Sequence, residues 1–233
     1  MVVLITGGSS GLGKLITEKL CENKDNIVYF TYKNSIENAE NITSNFSNSI
    51  KIKCDFNNRK ELNSLLNKLN DFNLDVLINN YYDGLFLYKQ SIKIDPEEYL
   101  DSFNKNIIPN IAIYQSVIKL FRKKKKGKII TVLSEAINSP PIGSSIYVCN
   151  KIYLKQIIKS WRNENSKFGI KFLHISPGIM KTNLTSKIDS RILNLMLKDG
   201  QTLEKNLNNA ADSIIENIYN DGETFDNEIL NVI

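Results

Sequence analysis

Short runs of β-branched and aliphatic residues recur along the chain, separated by longer stretches in which apolar residues fall three and four apart. The short runs predict strands over 2–6, 27–31, 50–54, 74–79, 128–133, 170–175 and 228–233. The longer stretches predict helices over 11–23, 35–47, 58–70, 96–121, 145–165 and 204–219. Strands that alternate with helices in this way imply a parallel sheet of about seven strands with helices on both faces, an α/β fold. No repeat or low-complexity linker divides the 233 residues, so a single domain over 1–233 is expected. Segment 183–203 fits neither pattern. In open α/β sheets, ligands bind outside the carboxyl ends of the strands, and every chemical motif of this chain falls at such an end.

Composition narrows the class of protein without naming its chemistry. Hydrophobic residues make up 42% and charged residues 24%, which are globular values. No apolar run reaches the roughly 18 residues of a membrane span, and Met1 leads straight into a strand with no basic segment before it. A cytoplasmic protein with no membrane partner is expected. Cys21, Cys54 and Cys149 form no paired framework and read as reduced thiols. Much of the net charge of +5 sits in Arg122-Lys123-Lys124-Lys125-Lys126. Gly127 follows as a helix stop, so the run reads as a solvated helix end whose cations suit the dipole, and no nucleic-acid partner is expected. No His, Cys and carboxylate cluster has metal-ligand spacing, and the one histidine, His174, lies in a predicted strand, so no metal is expected.

Thr6-Gly7-Gly8-Ser9-Ser10-Gly11-Leu12-Gly13 joins the first strand to the first helix. Its glycines permit a tight turn and close backbone approach to a pyrophosphate, and the helix start offers free N–H groups. The second strand ends in Thr31-Tyr32-Lys33-Asn34-Ser35, with no carboxylate before Glu37. A carboxylate there would bind a ribose 2′-hydroxyl and repel a 2′-phosphate. Lys33 instead favours NADP(H) over NAD(H). Tyr147 and Lys151 stand one helical turn apart. A free tyrosine has a pKa of about 10, and a nearby ammonium lowers it, which suits proton transfer to or from a carbonyl oxygen. Ser134, at the end of the fifth strand, can help to hold that carbonyl.

In these residues the chain resembles the short-chain dehydrogenase/reductase family, over nearly its whole length. TGGSSGLG is similar to the family's TGxxxGxG, Tyr147-Val148-Cys149-Asn150-Lys151 to its YxxxK, and Pro177-Gly178-Ile179-Met180-Lys181-Thr182 to its PGxxxT. The resemblance implies a single Rossmann-type doubly wound sheet. It implies Tyr147 as general acid/base, Lys151 as its ribose-binding partner, Ser134 on the carbonyl, and Asn106 acting through its backbone carbonyl. It implies cofactor contacts from Gly7, Ser9, Ser10, Gly11, Leu12, Gly13, Tyr32, Lys33, Asp55, Asn79, Tyr147, Lys151, Pro177, Gly178, Met180 and Thr182.

The substrate implied is a small-molecule carbonyl compound, with acyl thioesters as the nearest subgroup. Sugar-related reductases and a non-catalytic cofactor-binding protein remain the alternatives. A homodimer or homotetramer is implied, the dimer through helices 96–121 and 145–165. The chain closes on Asn231-Val232-Ile233 without the family's Asp-Gly-Gly tail, which removes the usual basis for the tetramer contact.

Three further features set the chain apart. The family's Asn-Asn-Ala-Gly is here Asn79-Asn80-Tyr81-Tyr82, Asn150 replaces a small residue, and Leu173 stands where asparagine is common. At least one of the two tyrosines is expected to border the substrate or nicotinamide space. Pro109 falls inside the predicted helix 96–121 and leaves the Lys105 carbonyl without its helical donor, so a kink is expected beside Asn106. Lys181, Lys187 and Arg191 offer cations near the pocket mouth.

Overall fold

A computed structural model describes residues 1–84, 89–186, 188–197 and 200–220. The described residues form a six-stranded parallel sheet in the order β3-β2-β1-β4-β5-β6. The strands are β1 (Val2–Thr6), β2 (Ile27–Tyr32), β3 (Ser49–Lys53), β4 (Val76–Asn79), β5 (Gly127–Val132) and β6 (Ile170–Ile175). The seventh predicted strand, 228–233, lies outside the described residues. The helices are α1 (Gly11–Glu22), α2 (Ile36–Asn45), α3 (Arg59–Lys68), α4 (Pro96–Asn106), α5 (Ile108–Lys124), α6 (Ser145–Asn165), α7 (Ser190–Leu195) and α8 (Leu203–Tyr219).

Strand alternation sorts the apolar residues into two layers. Val3 and Ile5 of β1, Val76 and Ile78 of β4, and Ile130 and Val132 of β5 face one side, where they meet α1, α2 and α8. Leu4, Leu77 and Ile129 face the other, against α3, α5 and α6. Leu173 belongs to the first layer and is 1% exposed, so an apolar side chain suits its place. The buried hydroxyls and amides between the layers satisfy one another. Thr6 Oγ1 donates to Asn79 Oδ1 at 3.1 Å, Asn79 Nδ2 donates to the Tyr114 hydroxyl at 2.7 Å, and that hydroxyl meets Thr131 Oγ1 at 2.7 Å. This chain of bonds crosses three strands directly beneath the carboxyl edge of the sheet.

The break expected beside Asn106 is present: the helix expected over 96–121 is interrupted at Ile107, two residues before Pro109. Its start is as the residues dictate: Asp95 caps, Pro96 opens, and Glu98 closes a capping box. At the other end, Gly127 is not the helix stop. Lys125 itself takes the left-handed conformation, with φ 53°, and ends α5. Gly127 begins β5, and a Cβ there would lie 2.2 Å from the Phe121 ring. The basic run is held locally, with Lys124 donating to Asp75 Oδ1 at 2.5 Å and Arg122 to Asn165 Oδ1 at 2.6 Å.

Candidate active site

The loop after β1 is a close-fitting cradle. Gly7 and Gly11 have φ of 65° and 50°, a region that side chains rarely tolerate. A Cβ on Gly13 would lie 2.1 Å from the Gly7 carbonyl oxygen, so only glycine lets α1 start this close to the loop. Ser10 occupies the N-cap yet its side chain caps no amide, and α1 carries no acidic residue in its first turn. The first turn of α1 thus keeps its donors and its positive dipole end for an anion. Thr182, of the PGxxxT segment, packs over Gly11. These features fit a dinucleotide pyrophosphate.

Ser134, Tyr147, Pro177, Gly178, Met180 and Thr182 line one cavity of about 290 Å³. Its remaining walls are mostly apolar, with Leu133, Leu184, Ile188 and Met196, and Glu135 as the charged exception. Of segment 183–203, Leu184, Thr185, Ile188 and Met196 therefore line the pocket. Lys181 pairs with Glu204 at 3.8 Å and Arg191 with Asp189 at 2.9 Å, both at the surface. Neither lines the cavity, and Lys187 lies outside the described residues. Asn206 of α8, which sequence reasoning missed, is buried and donates to the Ile179 carbonyl at 2.8 Å, bracing the PGxxxT turn.

Ser134 stands two residues past β5, its Oγ accepting from the Ala136 amide at 3.2 Å. Its hydroxyl favours the phenolate of Tyr147, which lines the same cavity. Burial pushes the Tyr147 hydroxyl up to about 12, against the opposing effect of Ser134. The lowering expected from Lys151 is not among the effects on this hydroxyl. Lys151 Nζ is spent on the Val132 carbonyl at 2.8 Å and lies 5.7 Å from the centre of the Tyr147 ring. Burial pushes Lys151 itself down to about 8.

Asn106 is 1% exposed, and its backbone carbonyl accepts from Asn110 Nδ2 at 2.5 Å. Its side chain has a role that no local pattern signals. Oδ1 accepts from the Asp83 amide at 2.6 Å and Nδ2 donates to the Asp83 carbonyl at 3.0 Å. Segment 80–84 is thereby fastened across the edge of the sheet. At its start, Asn80 Nδ2 donates to the carbonyls of Thr6 and Gly7, and the Tyr81 amide donates to Thr6 Oγ1. Asn79 faces inward, its amide engaged with Thr6 and Tyr114.

The two tyrosines part company. Tyr81 packs edge-on against Phe56, and its hydroxyl donates to the Lys105 carbonyl at 3.1 Å. That is the carbonyl Pro109 deprives of a helical donor, so Tyr81 repairs the break in the helix. Tyr82 lies beside Tyr147 and Lys151, outside the lining of the 290 Å³ cavity. Its ring meets Tyr147 edge-on at 5.0 Å, and Lys151 Nζ stands 5.3 Å from its centre. Burial raises the pKa of its hydroxyl, against the opposing effects of the Asn150 and Ser102 side chains. Asn150 Nδ2 donates to Ser102 Oγ at 2.8 Å. Tyr82 and Asn150, both departures from the family pattern, are therefore neighbours.

At the ends of β2 and β3, Lys33 Nζ lies 3.2 Å from Asp55 Oδ2 and 3.5 Å from Asp83 Oδ2. Tyr32 is buried and Ser9 is 3% exposed, so both support the cradle from beneath. The buried Cys21 and Cys54 thiols are pushed up to about 12, and Cys149 is exposed. Among the described residues, no group of acidic, histidine and cysteine side chains could hold a metal ion, and no helix is long and apolar enough to cross a membrane.

Residues 1–192 match the short chain dehydrogenase family model. A 3-oxoacyl-[acyl-carrier-protein] reductase of Buchnera aphidicola is 31% identical over 199 residues, 84% of this chain and 80% of that one. An NADP-dependent 3-hydroxy acid dehydrogenase of Schizosaccharomyces pombe is 28% identical over 190 residues, 78% of this chain and 73% of that one. The solved structure of ElxO with NADP bound superposes with a TM-score of 0.80 at 26% identity, covering 99% of this chain and 94% of that one.

Proposed function

The chain belongs to the short-chain dehydrogenase family of oxidoreductases, and from that premise we propose that it is an NADP(H)-dependent reductase of neutral, largely apolar ketones of the 3-oxoacyl type. The observation that carries this reading is the convergence of Ser134 and Tyr147 on one cavity whose other walls are mostly apolar. An apolar acyl chain suits such walls, and the Glu135 carboxylate disfavours an anionic one. The printed names of the relatives and of the ElxO structure are consistent with a 3-oxoacyl substrate and with NADP.

The cofactor supplies the hydride when bound. The chain's own residues do the rest. Ser134 donates a hydrogen bond to the substrate carbonyl oxygen, and Tyr147 delivers a proton to it as negative charge develops. A tyrosine held at about 12 is protonated at neutral pH, which favours the reduction direction. The residues that would hold the cofactor are the glycine cradle, with Ser9, Ser10 and Leu12, for the pyrophosphate; Lys33 for a 2′-phosphate; Asp55 at the adenosine end, with Tyr32 and Asn79 shaping it from beneath; and Lys151 with Pro177, Gly178, Met180 and Thr182 around the nicotinamide. Leu100, Ile108, Ile152 and Tyr153 are exposed on α4, α5 and α6, which supports a homodimer through that face.

The test is NADPH oxidation over a panel of 3-oxoacyl thioesters, diketones and nucleotide-linked keto sugars, with Tyr147→Phe as control. Turnover of a 3-oxoacyl thioester that drops at least about a hundredfold in the variant, with NADPH still bound, is expected. If both proteins bind NADPH and neither turns over any ketone, the reductase reading fails. Light scattering of the eluting protein measures the dimer.

A further inference from the structure

The adenosine end of the groove carries a carboxylate that neither the glycine cradle nor the tyrosine–lysine pair requires. Asp83 lies in the segment that departs from the family pattern, and its place is fixed from both sides. Its backbone is clamped by the buried Asn106 side chain at 2.6 and 3.0 Å. Its Oδ2 accepts from Asn57 Nδ2 and faces Lys33 Nζ at 3.5 Å. Lys33 thus stands between two carboxylates, Asp55 and Asp83, and the trio carries a net charge of −1. Partial burial works against the Lys33 charge, but the two carboxylates more than offset it and hold its pKa above the ordinary value. Lys33 is the cation assigned to a 2′-phosphate, so that phosphate must take the place of a carboxylate already on it.

We propose that Asp83 is a specificity-determining residue for the cofactor: its carboxylate competes with the 2′-phosphate for Lys33 and holds the preference for NADP(H) over NAD(H) below what Lys33 alone would give. This rests on the assignment of Lys33 to the 2′-phosphate. NADH, which has no such phosphate, has nothing to exchange and leaves the Lys33–Asp83 pair in place. Both partners are partly exposed, with side chains 37% and 27% accessible. The competition therefore has the strength of a partly screened ion pair, about fivefold in affinity, and weakens as salt rises.

The test is the dissociation constants of NADPH and NADH for the full chain, read by fluorescence titration, for wild type, Asp83→Asn, Asp83→Ala and Lys33→Met. Asp83→Asn keeps the shape of the side chain and its contact with Asn57, and Asp83→Ala removes the carboxylate without adding an amide. Both are expected to tighten NADPH about fivefold while moving NADH less than twofold, and high salt is expected to erase much of the gain. Lys33→Met is expected to weaken NADPH and spare NADH. If Lys33→Met weakens NADPH but neither Asp83 variant moves the ratio, the role of Asp83 is overturned and the Lys33 assignment stands. If Lys33→Met leaves NADPH binding unchanged, both are overturned.

Discussion

Replacing Tyr82 with alanine should raise the pKa of Lys151. In the native chain that ammonium is 3% exposed, bonded to one carbonyl, and roofed by the Tyr82 ring at 5.3 Å. Its drop from the ordinary value of 10.5 to about 8 corresponds to roughly 3 kcal/mol of lost solvation. Removing the ring has two opposing effects. It deletes a cation–π attraction that favours the charge, worth roughly 0.5–2 kcal/mol. It also admits water to a buried ammonium, which returns part of the larger solvation loss. The second effect wins if the opening restores even two thirds of that loss, so the midpoint should climb by about half a unit to one unit. The assay is a carbon NMR titration of protein labelled at the lysine Cε, with the Lys151 resonance identified by its absence from Lys151→Met. A midpoint in Tyr82→Ala that stays at the wild-type value or falls would refute the reasoning, because the ring would then not be what keeps water away.

Other expectations follow from the same geometry. Lys151 has a folded pKa near 8 against about 10.5 unfolded, so between those values the unfolded chain binds more protons and stability gains with rising pH. Urea unfolding at pH 8 and pH 10 should show this gain in wild type and lose it in Lys151→Met. Tyr147 runs the other way: the folded state keeps its proton up to about 12, the unfolded state loses it near 10, and stability falls across that window, a fall absent from Tyr147→Phe. Tyr81→Phe removes the donor to the Lys105 carbonyl and should cost about 1 kcal/mol in urea unfolding without a change in NADPH affinity. Gly13→Ala places a methyl group 2.1 Å from the Gly7 carbonyl oxygen, so binding of NADPH, read by fluorescence, should be lost or the protein should fail to fold.

Much of this was legible in the chain itself, for identifiable reasons. Strand spans such as 170–175, and the helix 145–165, are set by local periodicity and coincide with the folded elements. Ser134, Tyr147 and the PGxxxT residues meet at one cavity because each closes or follows an element at the same edge of the sheet. What escaped is what depends on contacts between distant segments. Nothing local ties Asn106 to Asp83, or Lys33 to Asp83 fifty residues on; those bonds exist only once β2 and β4 lie on either side of β1. The burial of Lys151 escapes for a similar reason, since sequence spacing conveys proximity to Tyr147 but not depth. The end of α5 was placed at a glycine because a lysine with positive φ is rare, and the glycine proved to be needed for Phe121 instead.

The nearness of Tyr82 to Asn150 bears on how such a site could have arisen. The Asn150 amide, 5% exposed, has its own partner in the Ser102 hydroxyl, and both side chains oppose the rise that burial imposes on the Tyr82 phenol. An asparagine buried here is therefore partnered without the tyrosine, while the tyrosine relies on the polar pair beside it. The two changes form an ordered pair, the amide permissive for the phenol. Among related chains, tyrosine at the first position should be found where a polar side chain already stands at the second.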